Sequence, residues 1–169
     1  AEMANNGYVI AGVESDAHAA PTTPSGPVIE PIAVRLQSAD VAAGKSAAKK
    51  CLACHSFDKG GKAKVGPNLY GIVADKAAGR DGFKYSAAMM EKSGEGMAWT
   101  YSELDDFLAN PKGTVPGTLM AFAGLKKPDQ RADVIAYLRS LADSPEPMPE
   151  VEAATAEPEA AAAETETAH

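Results

Sequence analysis

Two cysteines and a histidine within five positions are the residues of this chain whose types and spacing best suit chemistry. Cys51 and Cys54 place two thiols three positions apart, and His55 directly follows the second. This is the attachment sequence of c-type haem, in which each thiol forms a thioether with a vinyl group and the imidazole ligates the iron. The pattern predicts one covalently held haem c and therefore one-electron chemistry.

Other uses of two cysteines at this spacing are less well supported by the rest of the chain. A thioredoxin-like dithiol would need a βαβ pattern around it, and none is visible. A zinc site would need two further ligands at short spacing. The chain has no third cysteine, and its remaining histidines, His18 and His169, lie in polar flanks rich in Pro and Ala.

A second axial ligand would close the iron to small molecules, and methionine is the candidate. Met120 lies in an apolar run, 116–125, which a Pro-Gly turn opens. A His/Met pair raises the reduction potential relative to two histidines, because a thioether favours ferrous iron. The alternative role for Met120 is that of a core residue filling a gap. The other methionines lie in the flanks or between Gly-rich turns: Met3, Met89, Met90, Met97 and Met148.

Residues 40–142 resemble class I cytochrome c, close to the mitochondrial type and its bacterial relatives. The motifs occur in the family's order: Lys50-Cys51-x-x-Cys54-His55, Lys59-Gly60-Gly61-Lys62, Gly66-Pro67-Asn68-Leu69-Tyr70-Gly71, Gly82-Phe83-Lys84-Tyr85-Ser86, Trp99, Asn110-Pro111-Lys112, the run from Pro116 to Lys127, and Asp133-Val134-Ile135-Ala136-Tyr137-Leu138. The flanks are similar to those of membrane-anchored bacterial cytochromes c, which carry a linker between an N-terminal anchor and the haem domain.

The resemblance implies a mainly α protein with the cytochrome c fold, in which four to five helices wrap around the haem between disordered flanks. Residues 1–38 are expected to be a flexible linker rich in Pro and Ala, since their interleaved prolines exclude regular helix. Residues 39–143 form the haem domain. Residues 144–169, with seven glutamates and no lysine or arginine, are expected to be an acidic disordered tail.

The first and last helices of the haem domain are expected over about 40–50 and 128–142. Ser38 or Asp40 can cap the first helix, and Val41, Gly44 and Ala48 share one of its faces. The resemblance implies that the two helices cross at Gly44.

Two further helices are expected between these. Thr100 and Glu103 have the spacing of a capping box, which predicts a helix to about residue 110 that ends before Pro111. A shorter helix is predicted over 86–92. No alternating strand pattern is present.

The resemblance also assigns roles around the haem. His55 and Met120 would be the axial ligands, and the carbonyl of Pro67 would accept a hydrogen bond from the His55 ring. Asn68 and Thr118 would support the haem surroundings. Tyr85 and Trp99 would donate hydrogen bonds to a propionate.

Two positions depart from the family pattern in this region. Phe107 stands where the family has a tyrosine near the methionine sulfur, so one hydrogen bond to the ligand should be missing. Asp75 aligns with the mitochondrial arginine that faces a propionate, and Arg80 is the candidate to supply that charge instead.

Charge is unevenly distributed along the chain. Residues 40–143 hold 15 lysines and arginines against 12 acids, although the whole chain has a formal net charge of −7. The resemblance places five lysines around the exposed haem edge, where they would steer docking onto an acidic partner: Lys50, Lys64, Lys112, Lys126 and Lys127. Leu119 replaces a lysine of this ring. The basic patches lack a nucleic-acid-binding motif, so no nucleic-acid partner is expected.

The predicted function is that of a single-electron carrier, not an enzyme. It would accept from a quinol-oxidising cytochrome bc1-type complex and donate to a terminal cytochrome oxidase, as a monomer in the bacterial periplasm. A segment upstream of residue 1 could tether it to the inner membrane. The alternatives are a haem peroxidase-like enzyme with an open distal site and a fixed redox subunit of a larger respiratory complex.

Overall fold

The structure, a computed structural model, describes residues 29–151. The expectations for residues 1–28 and 152–169, which make up most of the linker and most of the tail, lie outside this range. The helices are α1 Ile32–Gln37, α2 Val41–Ala47, α3 Ala87–Gly94, α4 Tyr101–Ala109, α5 Pro111–Thr114 and α6 Pro128–Ser140, with a 3₁₀ helix, Ala48–Ala53, after α2. Within the described range only an isolated bridge, between Lys76 and Ala98, has strand geometry. The mainly α prediction is confirmed.

Helices α2 and α6 cross at Gly44, where their backbones come close. A Cβ atom at this position would lie 1.9 Å from the carbonyl oxygen of Asp133 and 3.0 Å from the Cβ of Tyr137. The side chain of Asp133 also accepts a hydrogen bond from the backbone N–H of Asp40, at 2.8 Å. The predicted crossing is therefore present. Val41, expected on the same face, is instead 45% exposed.

Three helices begin at capping residues that the sequence indicates. Asp40 accepts hydrogen bonds from the backbone N–H groups of residues 42 and 43, Ser86 accepts from that of Met89, and Thr100 accepts from that of Glu103, at 3.2 Å. The capping box is only half formed, because the N–H of Thr100 donates to the carbonyl of residue 98 instead.

The linker prediction is wrong for residues 32–37, which form α1. Ile32 and Leu36 are 7% and 3% exposed, and the helix packs against α4 and α6. The prolines before the helix predict a loop. Pro31, however, occupies the N-cap, so no proline lies inside the helix. The spacing of Ile32 and Leu36, four apart, was the available signal.

The C-terminal boundary at residue 143 also needs correction, because the next residues pack on the domain. The hydroxyl of Tyr101 donates to the carbonyls of Glu146 and Pro147, at 3.1 and 3.0 Å. Arg139 Nε donates to the carbonyl of Glu146, at 2.6 Å. Residues 144–151 have few apolar side chains to bury. These hydrogen bonds hold the segment against the domain instead.

Pro111 ends α4 as predicted but also begins α5, where its missing N–H costs nothing at the first helical position. Asn110 caps this short helix by accepting from the backbone N–H of Gly113, at 3.0 Å. No helix within residues 29–151 combines the length and the hydropathy that a bilayer crossing requires.

Replacing Gly44 with alanine should destabilise the haem-loaded protein by about 1–3 kcal/mol, as overpacking of a close contact does. Alanine favours helix by up to about 1 kcal/mol, but the Asp133 backbone cannot move 1 Å or more without disturbing α6. Denaturant unfolding measures the change.

The matched control is Gly94→Ala at the end of α3, where an added Cβ meets nothing within 4 Å. Equal stability changes for the two variants would contradict a tight α2–α6 crossing.

Candidate functional site

The two thiols and the imidazole of the motif lie on one tight turn. The 3₁₀ helix carries Cys51 and ends at Cys54, whose backbone N–H donates to the carbonyl of Cys51 at 3.0 Å; the N–H of His55 donates to the same carbonyl at 2.8 Å. In a 3₁₀ helix the side chains at i and i+3 eclipse, so the cysteines lie on the same side. Both are free and half-buried. Burial raises the pKa of the Cys51 thiol, despite the opposing charge of Lys50.

One nitrogen of the His55 ring is already committed to the protein. Nδ1 lies 2.7 Å from the carbonyl oxygen of Pro67, so Nδ1 carries the hydrogen and Nε2 is left as the metal-ligating nitrogen. Burial lowers the pKa of His55, outweighing the hydrogen bond that raises it. The imidazole is therefore neutral at neutral pH, as a metal ligand must be.

Gly66 holds the His55 ring from the side. An added Cβ would lie 2.3 Å from Cε1 and 2.7 Å from Nδ1 of the ring. The backbone N–H of Gly66 donates to the carbonyl of Cys54, at 2.8 Å. Sequence reasoning included Gly66 only within a family motif and missed this packing role.

Asn68 ties the loop that carries Pro67 to the segment after the motif. Its amide donates to Ser56 Oγ at 2.9 Å and to the carbonyl of Asp58 at 3.0 Å. Its carbonyl oxygen accepts from the backbone N–H of Tyr70, at 3.1 Å. The contacts of Asn68 thus fix the carbonyl that orients His55.

Arg80 and Tyr85 lie together, and the guanidinium Nε–H of Arg80 has no hydrogen-bond acceptor among the described residues. The Nε of Arg80 is buried and makes no hydrogen bond within the described residues, although Asp75 Oδ2 lies 3.1 Å away as an ionic neighbour. The Tyr85 oxygen accepts the backbone N–H of Arg80, at 3.2 Å, which leaves its own hydrogen for another acceptor. An orphaned guanidinium N–H beside a phenol fits an anionic group such as a haem propionate.

Trp99 is buried next to the Asp75 segment, since its backbone N–H donates to the carbonyl of Asp75 at 2.7 Å. Its exposure is 8%, and its ring packs against Phe107 with a centroid separation of 4.9 Å. Phe107 is therefore a core aromatic in the position where the family has a tyrosine. No hydrogen bond of the Trp99 indole is recorded within the described part of the chain, so its propionate role stays a prediction.

Met120 lies in a loop with two buried ends. Val115 and Leu125 flank it at 0% and 3% exposure, and Met120 itself is half-buried and packs against the core. Thr118 Oγ1 accepts from the backbone N–H of Met120, at 3.3 Å. Thr118 thereby shapes the backbone that presents the thioether.

The other described methionines are less suited to reach a buried iron or are already used in packing. Met90 and Met148 are 55% and 36% exposed, whereas Met89 is buried in the core. Met97 packs against the same core. Met120 stays the best candidate on burial and placement.

The five lysines of the predicted ring are all exposed: Lys50, Lys64, Lys112, Lys126 and Lys127. Two of them are fixed by backbone carbonyls, since Lys64 Nζ donates to the carbonyl of Leu52 and Lys126 Nζ donates to that of Ala109. Sequence reasoning noted Leu119 as an apolar position here but missed Leu52 and Val65, which are 46% and 78% exposed.

The thiol pair, the oriented imidazole and the orphaned guanidinium together fit a covalent haem. The family model for cytochrome c matches residues 41–142, more than half of the chain. The chain belongs to the cytochrome c family. It is a class I bacterial cytochrome c that binds haem c covalently and carries electrons, rather than an enzyme. The prediction of an electron-transfer protein is confirmed over the peroxidase-like alternative.

Named relatives agree with this assignment. The chain is 51% identical to a cytochrome c homolog of Bradyrhizobium diazoefficiens over 144 residues, covering 85% of this chain and 77% of that protein. It is 50% identical to cytochrome c2 of Agrobacterium tumefaciens over 99 residues, covering 59% of this chain and 89% of the relative. The solved structure of cytochrome cH from Methylobacterium extorquens matches with a TM-score of 0.55 and 43% identity, covering 60% of this chain and 98% of that one.

Replacing Gly66 with alanine should displace His55 and reduce the fraction of protein that carries covalent haem. The Cβ would lie well inside van der Waals contact with the ring, and the Pro67 carbonyl prevents a simple rotation. We expect a several-fold lower yield of covalent haem protein, measured as haem absorbance per milligram.

The control for this variant is Gly60→Ala. It imposes a positive-φ alanine, at φ +70°, but contacts nothing within 4 Å. An equal fall in haem absorbance per milligram in both variants would contradict a specific role for Gly66.

Proposed function

We propose that this cytochrome accepts electrons one at a time from a quinol-oxidising bc1-type complex and donates them to a terminal cytochrome oxidase, with His55 and Met120 as axial ligands. The observation that carries this proposal is the His55–Pro67 hydrogen bond, which leaves a single ring nitrogen free and fixes its direction. Haem c supplies a reversible one-electron centre when bound. The residues around it determine its potential and its access to solvent.

Ligation by His55 and Met120 would suit a carrier better than a catalyst. Two protein ligands leave no open position for peroxide or oxygen. The backbone carbonyl of Pro67 would hold the His55 ring, and the hydroxyl of Thr118 would hold the backbone N–H of Met120, so little has to move when the electron arrives. Supporting contacts of this kind orient metal ligands and tune the metal centre.

The propionate side would be served by Arg80 and Tyr85. Arg80 lies five positions after the family's arginine position, which is occupied here by Asp75. Its buried Nε has no hydrogen-bond acceptor in the part of the chain that the structure describes. Asp75 partly neutralises the guanidinium at 3.1 Å. We infer that a propionate would complete this cluster and that Trp99 adds its indole N–H to it.

The docking surface would combine charge with exposed apolar side chains. The haem domain is net positive, in contrast to the whole chain. The lysines at positions 50, 64, 112, 126 and 127 would attract an acidic partner from a distance, and Leu52, Val65 and Leu119 would pack on contact. Charges of this kind raise the encounter rate and are weakened by salt.

The proposed location is the periplasm, with a tether to the inner membrane upstream of residue 1. The Bradyrhizobium diazoefficiens relative matches over 85% of this chain, more than the family-matched residues 41–142. Part of the sequence flanking residues 41–142 is thus shared with that relative.

Replacing Met120 with alanine should abolish the weak long-wavelength absorption band that thioether ligation gives to ferric haem. The reduction potential should fall by on the order of 0.1 V, since axial ligands move haem potentials over about 0.8 V. Spectra and redox titration of the purified protein measure both. Met97→Ala, at a second half-buried methionine, is the control and should keep the band. A band that persists without Met120 would contradict this ligand assignment.

Neutralising two docking lysines, as in Lys50→Gln with Lys126→Gln, should slow reduction by a bc1-type complex several-fold at low salt, within the ~10–1,000-fold range of electrostatic steering. The difference from wild type should shrink as salt increases. Stopped-flow kinetics provide the measurement. Lys59→Gln is the control, since Lys59 is exposed but already paired with Asp143.

The same kinetics separate a carrier from a fixed redox subunit. A carrier should show second-order reduction by the bc1-type complex and second-order oxidation by the oxidase, with matching salt dependence. Copurification with one complex at fixed stoichiometry, together with concentration-independent rates, would favour the fixed subunit.

A further inference from the structure

A buried cluster of three charges joins α1, α4 and α6. Arg35 donates through both terminal nitrogens to the two carboxylate oxygens of Asp105. Arg131 Nε donates to Asp105 Oδ1, at 2.7 Å. The side chains of the two arginines are only 4% and 7% exposed, and that of Asp105 is 14% exposed. One carboxylate therefore serves two guanidinium groups away from solvent.

Both arginines also donate to backbone carbonyls at residues 125–128, where the Met120 loop ends and α6 begins. We call these residues the base of the loop. Arg131 Nη1 donates to the carbonyl of Leu125, at 2.8 Å, and Arg35 Nη1 donates to the carbonyl of Pro128, at 2.7 Å. The N–H of Leu125 is held in turn by the carbonyl of Leu108, at 2.7 Å. This base lies five residues after Met120.

Arg35 reaches this base from outside the residues that the family model matches. Helix α1 precedes residues 41–142, which the family model matches, and Arg35 Nε additionally donates to the carbonyl of Glu30, at 2.7 Å. The arginine therefore connects the segment entering the domain to the loop that leaves Met120.

Charged clusters of this kind select one arrangement more than they add stability. Burying the ions costs solvation that their attraction roughly offsets. Without Arg35, Asp105 would still pair with Arg131 but would lose its two-pronged partner on α1. Here Asp105 can orient both arginines only when α1 is docked. The geometry of the loop base then depends on α1.

We propose that α1, through Arg35 and the shared carboxylate of Asp105, is a positioning element for the Met120 loop and keeps the thioether in place. The inference rests on the proposed ligation by Met120. Arg35 touches neither the iron site nor Met120 and acts through the carbonyl of Pro128 and through Asp105. Undocking of α1 would increase the population in which the loop opens.

Imidazole binding to the ferric protein measures that population directly. Added imidazole can take the sixth position only when Met120 has left it, so its apparent affinity scales with the open fraction. In the haem-loaded chain, Arg35→Gln should raise the apparent imidazole affinity about tenfold or more, because it removes the two-pronged contact with Asp105 and leaves the carbonyls of Pro128 and Glu30 without their donor. The long-wavelength band should weaken in parallel without added ligand.

Matched variants separate positioning from general destabilisation. Arg35→Lys keeps the charge but loses the two-pronged contact, so its imidazole affinity should fall between wild type and Arg35→Gln. Lys59→Gln removes an exposed ion pair, and Tyr101→Phe removes hydrogen bonds to residues 146 and 147. Both controls should bind imidazole as wild type does.

The outcomes distinguish this inference from the proposed function. If wild-type ferric protein lacks the methionine band, the ligand assignment fails and the positioning role fails with it. If wild type shows the band but Arg35→Gln binds imidazole with unchanged affinity, the positioning role alone is refuted. Should Arg35→Gln accumulate too little haem protein, Arg35→Lys gives the deciding value, with wild-type affinity again refuting the role.

Discussion

The direction of the His55 imidazole is the constraint on which the site depends. Rotation about the side-chain bonds of a histidine allows many ring orientations. The hydrogen bond to the Pro67 carbonyl and the packing against Gly66 select one of them. The hydrogen bond selects the tautomer and burial keeps the ring neutral. Asn68 in turn holds the Pro67 loop to the segment after the motif. Several linked contacts, rather than one, therefore fix the orientation of His55.

The helices provide the frame for that backbone. Helix α2 approaches α6 closely at Gly44, and the 3₁₀ helix that carries Cys51 follows α2 directly. On the opposite side, α4 and α6 hold the base of the Met120 loop through Asp105 and Arg131. The attachment motif and the proposed ligand Met120, far apart in sequence, are thus both connected to α6.

Much of this was predictable because its causes are local. The attachment motif and the caps at Asp40 and Thr100 each follow from a few neighbouring residue types, whereas the crossing at Gly44 was implied by the family resemblance. Prediction failed where distant segments stabilise one another. Helix α1 is too short to be stable alone, and residues 144–151 have little apolar surface, yet packing and hydrogen bonds to α4 and α6 order both.

The sequence by itself determined the cofactor chemistry, since two thiols and an imidazole at this spacing serve few other purposes. It also determined the mainly helical fold, which capping residues and proline positions delimit. Only the tertiary structure decided that Arg80 keeps a buried donor without an acceptor among residues 29–151 and that Arg35 and Arg131 share Asp105. A charge's partner depends on which distant backbone folds next to it, and spacing along the chain does not encode that neighbour.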